Sequence, residues 1–256
     1  MIHSTAIVSK SAKLADDVTV GAYTIIGDDV EIGSGTRIDG HVVVNGPTVI
    51  GRDNHIYQFA SIGDDPQDKK YAGEVTRLTI GDRNTIREFC TISRGTVQDR
   101  GETVLGNDNW IMAYVHIAHD CVIGSNTILA NNATLAGHVH IGDWVIMAGF
   151  SGVHQFCHVG PHAFLGMYSG SNRDVPAYTM VAGTPGAPRG INSEGLKRRG
   201  FSAEQIRNIK EAHRIVYRKG LKLAEAVEII AERAGSQPEL VPFLESLQSS
   251  ERGLVR

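Results

Sequence analysis

The chain holds 256 residues, 41% of them hydrophobic and 21% charged, with a formal net charge of −3. That balance suits a folded chain with a buried core in one large or two modest domains, and it excludes a nucleic-acid binder that works through overall charge. The opening stretch MIHSTAIVSKSAKLADD has no basic start followed by an apolar run, and no stretch of about 18 apolar residues occurs anywhere, so a cytoplasmic protein without an integral membrane segment is expected.

From the N-terminus onward, aliphatic residues recur every sixth position. Val8, Leu14, Val20, Ile26, Ile32, Ile38, Val44, Ile50, Ile56 and Ile62 form the first run, and Ile80, Ile86 and Ile92 resume it. After a slip of one residue, the series continues through Leu105, Ile111, Ile117, Ile123, Leu129, Leu135, Ile141, Met147, Val153, Val159 and Leu165. A six-residue period fits neither an amphipathic helix nor a hairpin sheet. It fits short strands joined by tight corners, each strand placing one aliphatic side chain inside a three-sided prism. Three strands make an 18-residue coil, coils stack about 4.8 Å apart, and twenty-four such positions give about eight coils. Cys90, Cys121 and Cys157 are an odd number without metal spacing, at positions that take small interior residues, and are expected to be reduced packing residues. The repeat resembles that of the hexapeptide acyltransferases, which implies a mainly β fold, the left-handed parallel β-helix; the handedness comes from the resemblance alone.

Two polar interruptions break the series, near 63–79 (GDDPQDKKYAGEVTRLT) and near 93–104 (SRGTVQDRGETV), and long departures from a regular scaffold are where binding groups tend to sit. After Asp174 the pattern decays through the Pro/Gly-rich VPAYTMVAGTPGAPRG, which predicts a linker and a division into a solenoid over 1–186 and a C-terminal α-helical domain over 187–256. In the latter, Ser202 and Gln205 make a capping box, Ile206, Ile209, Ile215 and Val216 an apolar stripe, and Gly220 a stop. A second helix over Leu223 to Ala234 is expected to end at Gly235, and a third to follow Pro238.

The 18-residue coil converts spacing into geometry. His119, Gly137 and Gln155 form one column, with His116, His138 and His154 close by, so four histidines gather in one patch. Histidine suits proton abstraction at neutral pH, and glycine one coil above leaves a backbone N–H free to meet a developing oxyanion. Asp120 can fix the His119 tautomer, or its side chain can diverge at the corner. A zinc site of the kind found in related β-helical carbonic anhydrases is the alternative, since His116 and His119 have a compatible spacing, but no third ligand is specified.

The segments QDKKYAGE, HIAHDCVIG, ILANNATLAGHV, VHQFC and above all NSEGLKRRGF resemble the UDP-N-acetylglucosamine O-acyltransferases of lipid A synthesis, from the repeats to the helical tail. The resemblance implies that His119 is the general base for the glucosamine 3-hydroxyl, which attacks a 3-hydroxyacyl thioester on acyl carrier protein, with the Gly137 N–H holding the oxyanion. It further implies that Gln67, Asp68 and Lys70 position the sugar and phosphates, that His116, His138, His154 and Gln155 line the cleft, and that Asn192, Glu194, Arg198 and Arg199 hold the uridine diphosphate. No metal and no cofactor are implied, the carrier thioester being a substrate. Ser93 stands where the family usually has His, which leaves a 3-amino sugar acceptor open. N-acylation by the paralogous family would call for an extra N-terminal uridine-binding domain, whereas the repeats here begin by Val8. A purely structural or ice-binding solenoid would present regular Thr rows, and none is present.

A homotrimer with clefts between prisms is expected, mainly from the family, and exposed apolar groups such as Trp110 and Phe150 agree with it. Lys197 to Lys222 is strongly basic, opposed only by Glu204 and Glu211, and is expected to dock the acidic carrier. Asn131, Gly149 and Met167 share a corner 12 residues on from the His119 column. In a trimer that corner can continue a neighbour's groove, where Met167 would stop a chain of roughly ten carbons.

Overall fold

A computed structural model describes all 256 residues. Strands of two to four residues wind into three parallel faces, each strand pairing with the strand one coil away. The first face stacks nine strands from Ile7–Val8 to Gly170–Ser171, and the second stacks eight from Lys13–Leu14 to His158–Val159. The third stacks nine parallel strands from Thr19–Val20 to Thr179–Ala182, then adds Ala187–Ile191 as an antiparallel edge.

The six-residue aliphatics fill the prism. Ile26, Ile56, Ile86, Ile117, Leu135 and Leu165 are essentially inaccessible, each stabilising the fold by about 1.5–3 kcal/mol. Smaller side chains two positions earlier complete the interior. Among them Asn54, Asn84 and Asn109 form a buried polar ladder, each side-chain oxygen accepting from the next coil: Asn84 Nδ2 to Asn54 at 3.0 Å, Asn109 N to Asn84 at 2.9 Å. Cys90, Cys121 and Cys157 are buried and unpaired.

From the second coil on, most corners turn through one residue in the left-handed backbone region, a conformation that costs most side chains energy but suits Asn and Asp. At the corner before the first face these residues are Tyr23, His41, Phe59, Phe89, Tyr114, Asn132, Phe150 and Tyr168. Between the first and second faces they include Asp120, His138 and Phe156. Before the third face they include Asp108, Asn126, Trp144, His162 and Tyr178.

The solenoid runs on into the stretch expected to be a linker. Gly170–Ser171, the bridge of Val175 to Val159, and Thr179–Ala182 make a ninth coil, and the Pro/Gly-rich stretch turns into an antiparallel hairpin. Proline and glycine there mark the hairpin turn, not a linker. The interruptions are also shorter than expected, because Ser61–Asp64, Arg77–Ile80, Thr91–Ser93 and Glu102–Leu105 extend their strands, leaving loops over 65–76 and 94–101.

Four helices follow: α1 (Ser193–Arg198), α2 (Ala203–Arg218), α3 (Leu223–Ala234) and α4 (Val241–Gln248). The Ser202/Gln205 capping box opens α2, and Ile209, Ile215 and Val216 are buried while Ile206 is half-buried. The short α1 was not expected. The helices pack on the third corner through Tyr178 and Leu196. A tail then returns to the solenoid: Leu254 bridges Asp174, and Val255 joins the prism core.

Candidate functional site

The site is built at the corner between the first and second faces. Asp120 occupies the left-handed position and is wholly buried, its backbone N–H donating to Thr103 Oγ1 at 2.8 Å. Its carboxyl accepts from the Thr96 N–H at 2.9 Å and from the Thr96 hydroxyl at 2.6 Å, both from the second loop. His119 Nδ1 lies 2.9 Å from Asp120 Oδ2. Burial pushes the Asp120 carboxyl up, but the bonds from His119 and Thr96 outweigh it and hold the group below the usual carboxylate range. An ionised carboxylate only accepts, so Nδ1 carries the proton and Nε2 is left as the basic nitrogen.

Gly137 lies directly beneath that ring. A Cβ there would stand 2.5 Å from His119 Cε1 and 2.7 Å from Nε2, so only glycine allows the imidazole to lie over the backbone. The Gly137 N–H donates no hydrogen bond within the chain. The basic nitrogen thus lies close over a residue whose backbone donor is free.

His138 meets His119 edge-on, with ring centroids 4.9 Å apart, and stacks on Phe156 at 4.3 Å. Its Nδ1 lies 2.7 Å from Asp99 Oδ2 and 3.7 Å from Asp120 Oδ2. His116 Nδ1 lies 2.7 Å from Thr91 Oγ1, and burial and then the neighbouring His119 push its pKa down. His154 and Gln155 are exposed two coils along. His154 lines a shallow groove of about 550 Å³ with Thr134, Ala136, Gly170, Thr184 and Pro185. A separate groove of about 330 Å³, between the second face and α4, contains none of the residues of the His119 site.

His119, Asp120 and His138 have donor atoms within 4.8 Å of one another, a group that leaves out His116, the partner of His119 in the zinc alternative. Their hydrogen bonding gives a different arrangement: each Nδ1 faces a carboxylate, and the oxygens of Asp120 are taken up by His119 and Thr96. The set is two Asp–His pairs at right angles.

The other expected site residues lie elsewhere on the chain. Gln67, Asp68 and Lys70 sit in the first loop, where Asp68 Oδ1 accepts from the Lys70 N–H at 3.0 Å and no bond reaches the histidines. Buried Arg94 fastens that loop: Nη1 donates to the Gly63 carbonyl at 2.5 Å, and Nη2 donates to Asp65 and lies 3.1 Å from the Tyr71 hydroxyl. Ser93 is buried, paired with Asp64 at an irregular strand end.

Asn192, Glu194, Arg198 and Arg199 gather on α1 at the third corner. The buried Asn192 caps α1 through Gly195 N at 3.1 Å and donates to the His162 carbonyl at 3.1 Å. Glu194 pairs with Lys197 at 2.7 Å. Arg199 lies 3.1 Å from His162 Nδ1, with its guanidinium 5.2 Å over the Trp144 ring. Burial, then that guanidinium, lowers the His162 pKa to about 4. Arg198 is exposed with no acidic partner. Met167 and Gly149 stack at the first corner, a Cβ on Gly149 standing 3.9 Å from the Met167 methyl. One chain thus holds the two dyads and Gly137 together and keeps the α1 group and Met167 on other corners. Arg94, Thr96 and Asp99 were not foreseen; only their place in an interruption marked them.

Residues 174–255 match the second domain of the UDP-N-acetylglucosamine O-acyltransferases, and 11–46 and 102–137 match the bacterial transferase hexapeptide repeat. An acyl-[acyl-carrier-protein]–UDP-N-acetylglucosamine O-acyltransferase of Herminiimonas arsenicoxydans is 56% identical over 100% of this chain and 99% of its own. The chain belongs to that family. The UDP-N-acetylglucosamine acyltransferase structure from Francisella novicida superposes with a TM-score of 0.98 at 49% identity, covering 100% of this chain and 94% of that one. The Moraxella catarrhalis structure gives 0.98 at 50% identity, covering 100% and 99%. The three-faced prism is accordingly the family's left-handed parallel β-helix, with an α-helical C-terminal domain.

Proposed function

We infer that this protein transfers a 3-hydroxyacyl chain from acyl carrier protein to the 3-hydroxyl of UDP-N-acetylglucosamine, the first step of lipid A biosynthesis. The observation that carries this is the His119 ring, fixed by buried Asp120 and lying over Gly137. His119 Nε2 takes the proton as the sugar hydroxyl attacks the thioester carbonyl. The oxyanion forms against the Gly137 N–H, and its collapse breaks the C–S bond. The departing carrier thiolate takes the proton back from the imidazolium, which Asp120 stabilises meanwhile. A positioned base contributes about 10²- to 10⁴-fold and an oxyanion donor about 10²- to 10³-fold.

A homotrimer completes the site in this scheme, because Arg198 and Met167 stand on corners away from His119. Sedimentation that found a fully active monomer would remove it. Gln67, Asp68 and Lys70 hold the sugar and phosphates, and Asn192, Glu194, Arg198 and Arg199 form the nucleotide wall. Asn192 and Arg199 act mainly by shaping it, since both are already engaged within the chain. The exposed Arg207, Lys210 and Arg214 on α2 receive the acidic carrier; an unchanged Michaelis constant after their charge reversal at low salt would exclude that docking. No helix is long and apolar enough to cross a membrane, and three buried, unpaired cysteines suit a reducing cytoplasm.

The decisive experiment offers UDP-N-acetylglucosamine, its 3-amino analogue and a ladder of carrier thioesters, and weighs the products by mass spectrometry. His119→Ala is expected to abolish product while the protein stays folded; most of the wild-type rate surviving would remove His119 as base.

A further inference from the structure

The second loop reaches three parts of the site in six residues: Arg94 fastens the first loop, Thr96 bonds Asp120, and Asp99 bonds His138. The first two contacts are made by buried side chains. The third is made by a carboxylate that is 43% exposed, in a loop 39 residues from its partner in sequence, at 2.7 Å. A contact to a carboxylate so open to solvent contributes little to folding. It does fix an imidazole: with Nδ1 on Asp99, the proton resides on Nδ1, and Nε2, on the far side of the ring, has no partner within the chain.

We propose that Asp99 is a positioning residue of the acyl transfer, fixing the orientation and tautomer of His138 so that its Nε2 faces the substrates beside the His119 base. Four groups hold or face the ring. Asp99 takes Nδ1, Asp120 lies 3.7 Å behind it, His119 meets it edge-on and Phe156 covers one face. Arg100, next to Asp99, is the nearby cation whose charge also reaches His140. Phe156 supplies stacking only and cannot choose between the ring nitrogens, and Asp120 is already bonded to His119. That choice therefore falls to Asp99. The corner repeats the logic of His119 and Asp120, with the carboxylate supplied from the loop instead of the adjacent residue.

The proposal rests on His119 as the base, and the test separates the two ideas. Turnover of UDP-N-acetylglucosamine with the carrier thioester is measured on the full-length enzyme for Asp99→Ala, Asp99→Asn, His138→Gln and the double variant Asp99→Ala/His138→Gln. Asp99→Ala is expected to lower kcat about tenfold with little change in the Michaelis constant for the nucleotide sugar. Asp99→Asn, which keeps an acceptor oxygen, is expected to recover most of that loss. In the double variant the Asp99 change is expected to add nothing beyond His138→Gln. Nitrogen-15 spectra of histidine-labelled protein are expected to show the His138 proton moving from Nδ1 to Nε2 in Asp99→Ala. An unchanged tautomer, a wild-type kcat in Asp99→Ala, or losses that multiply in the double variant would each overturn the assignment. Failure of the base would show instead as an active His119→Ala.

Discussion

Two corners of the prism use the same backbone device for opposite ends. The first carries Tyr23, His41, Phe59, Phe89 and Tyr114 in left-handed positions, their rings stacked in succession 4.8–5.3 Å apart and largely open to solvent. The second carries Asp120, His138 and Phe156 in the equivalent positions, and His138 stacks on Phe156 just as closely. Stacking offsets the cost of a left-handed aromatic residue in both. What sets the second apart, and makes it the reaction centre we propose, is a glycine beneath one ring and a carboxylate on each of two imidazoles. The repeat supplies a rigid column, and chemistry needs only three or four departures from it.

Filling the glycine breaks this comparison most sharply. Gly137→Ala forces the His119 ring off the backbone, and turnover is expected to fall at least about a hundredfold, with a thermal midpoint close to wild type. A rate within a few-fold of wild type would show that the close packing is incidental.

Next in size is Met167→Gly at the first corner. Ten-, twelve- and fourteen-carbon donors are expected to change rank toward the longer chains, by roughly fifteenfold for each pair of methylenes at about 0.8 kcal/mol apiece. If the rank order of donors stays put, the groove that measures the acyl chain lies elsewhere.

The third corner sharpens the contrast through pH. His162 and the buried His213 are held neutral, with pKa values near 4, by burial first and by Arg199 and Arg218 respectively. In the unfolded chain they take up protons near their ordinary value of about 6.5. Stability is then fully present above that pH and declines as pH falls toward 4, where the folded forms protonate too. Thermal midpoints measured across this window are expected to drop for wild type and to drop less for His162→Phe, provided that variant folds.

The smallest effect is expected from Phe59→Ala in the aromatic ladder: a loss of about 0.5–1.5 kcal/mol on denaturant unfolding and unchanged kcat. A large loss of turnover would mean that the aromatic ladder itself takes part in the reaction.

Legibility followed the same division. Because residues 18 apart stack, the interior ladder and the column of His119, Gly137 and Gln155 could be written down from spacing alone. The bonds from Thr96 to Asp120 and from Asp99 to His138 could not, since they cross 24 and 39 residues from a loop that obeys no period. The α1 residues were found by their motif, but spacing gave no sign that Asn192 is used as a cap or that Arg199 lies over Trp144. The ninth coil and its hairpin read as a linker because Pro and Gly serve the hairpin there and aliphatic spacing no longer marks the strands.

The returning tail has a consequence for how the molecule stays solitary along its axis. A stack of parallel strands exposes unpaired N–H and C=O groups at its last rung, a ready template for another chain. Here Asp174 accepts from Ser250 Oγ at 2.8 Å and from the Arg252 N–H at 3.1 Å, while its own N–H donates to the Gly253 carbonyl and its carbonyl accepts from Val255 N. Residues 250–255 thus occupy the growing end of the stack. Removing these few residues is expected both to uncover that end, inviting end-to-end association, and to take Leu254 and Val255 out of the core.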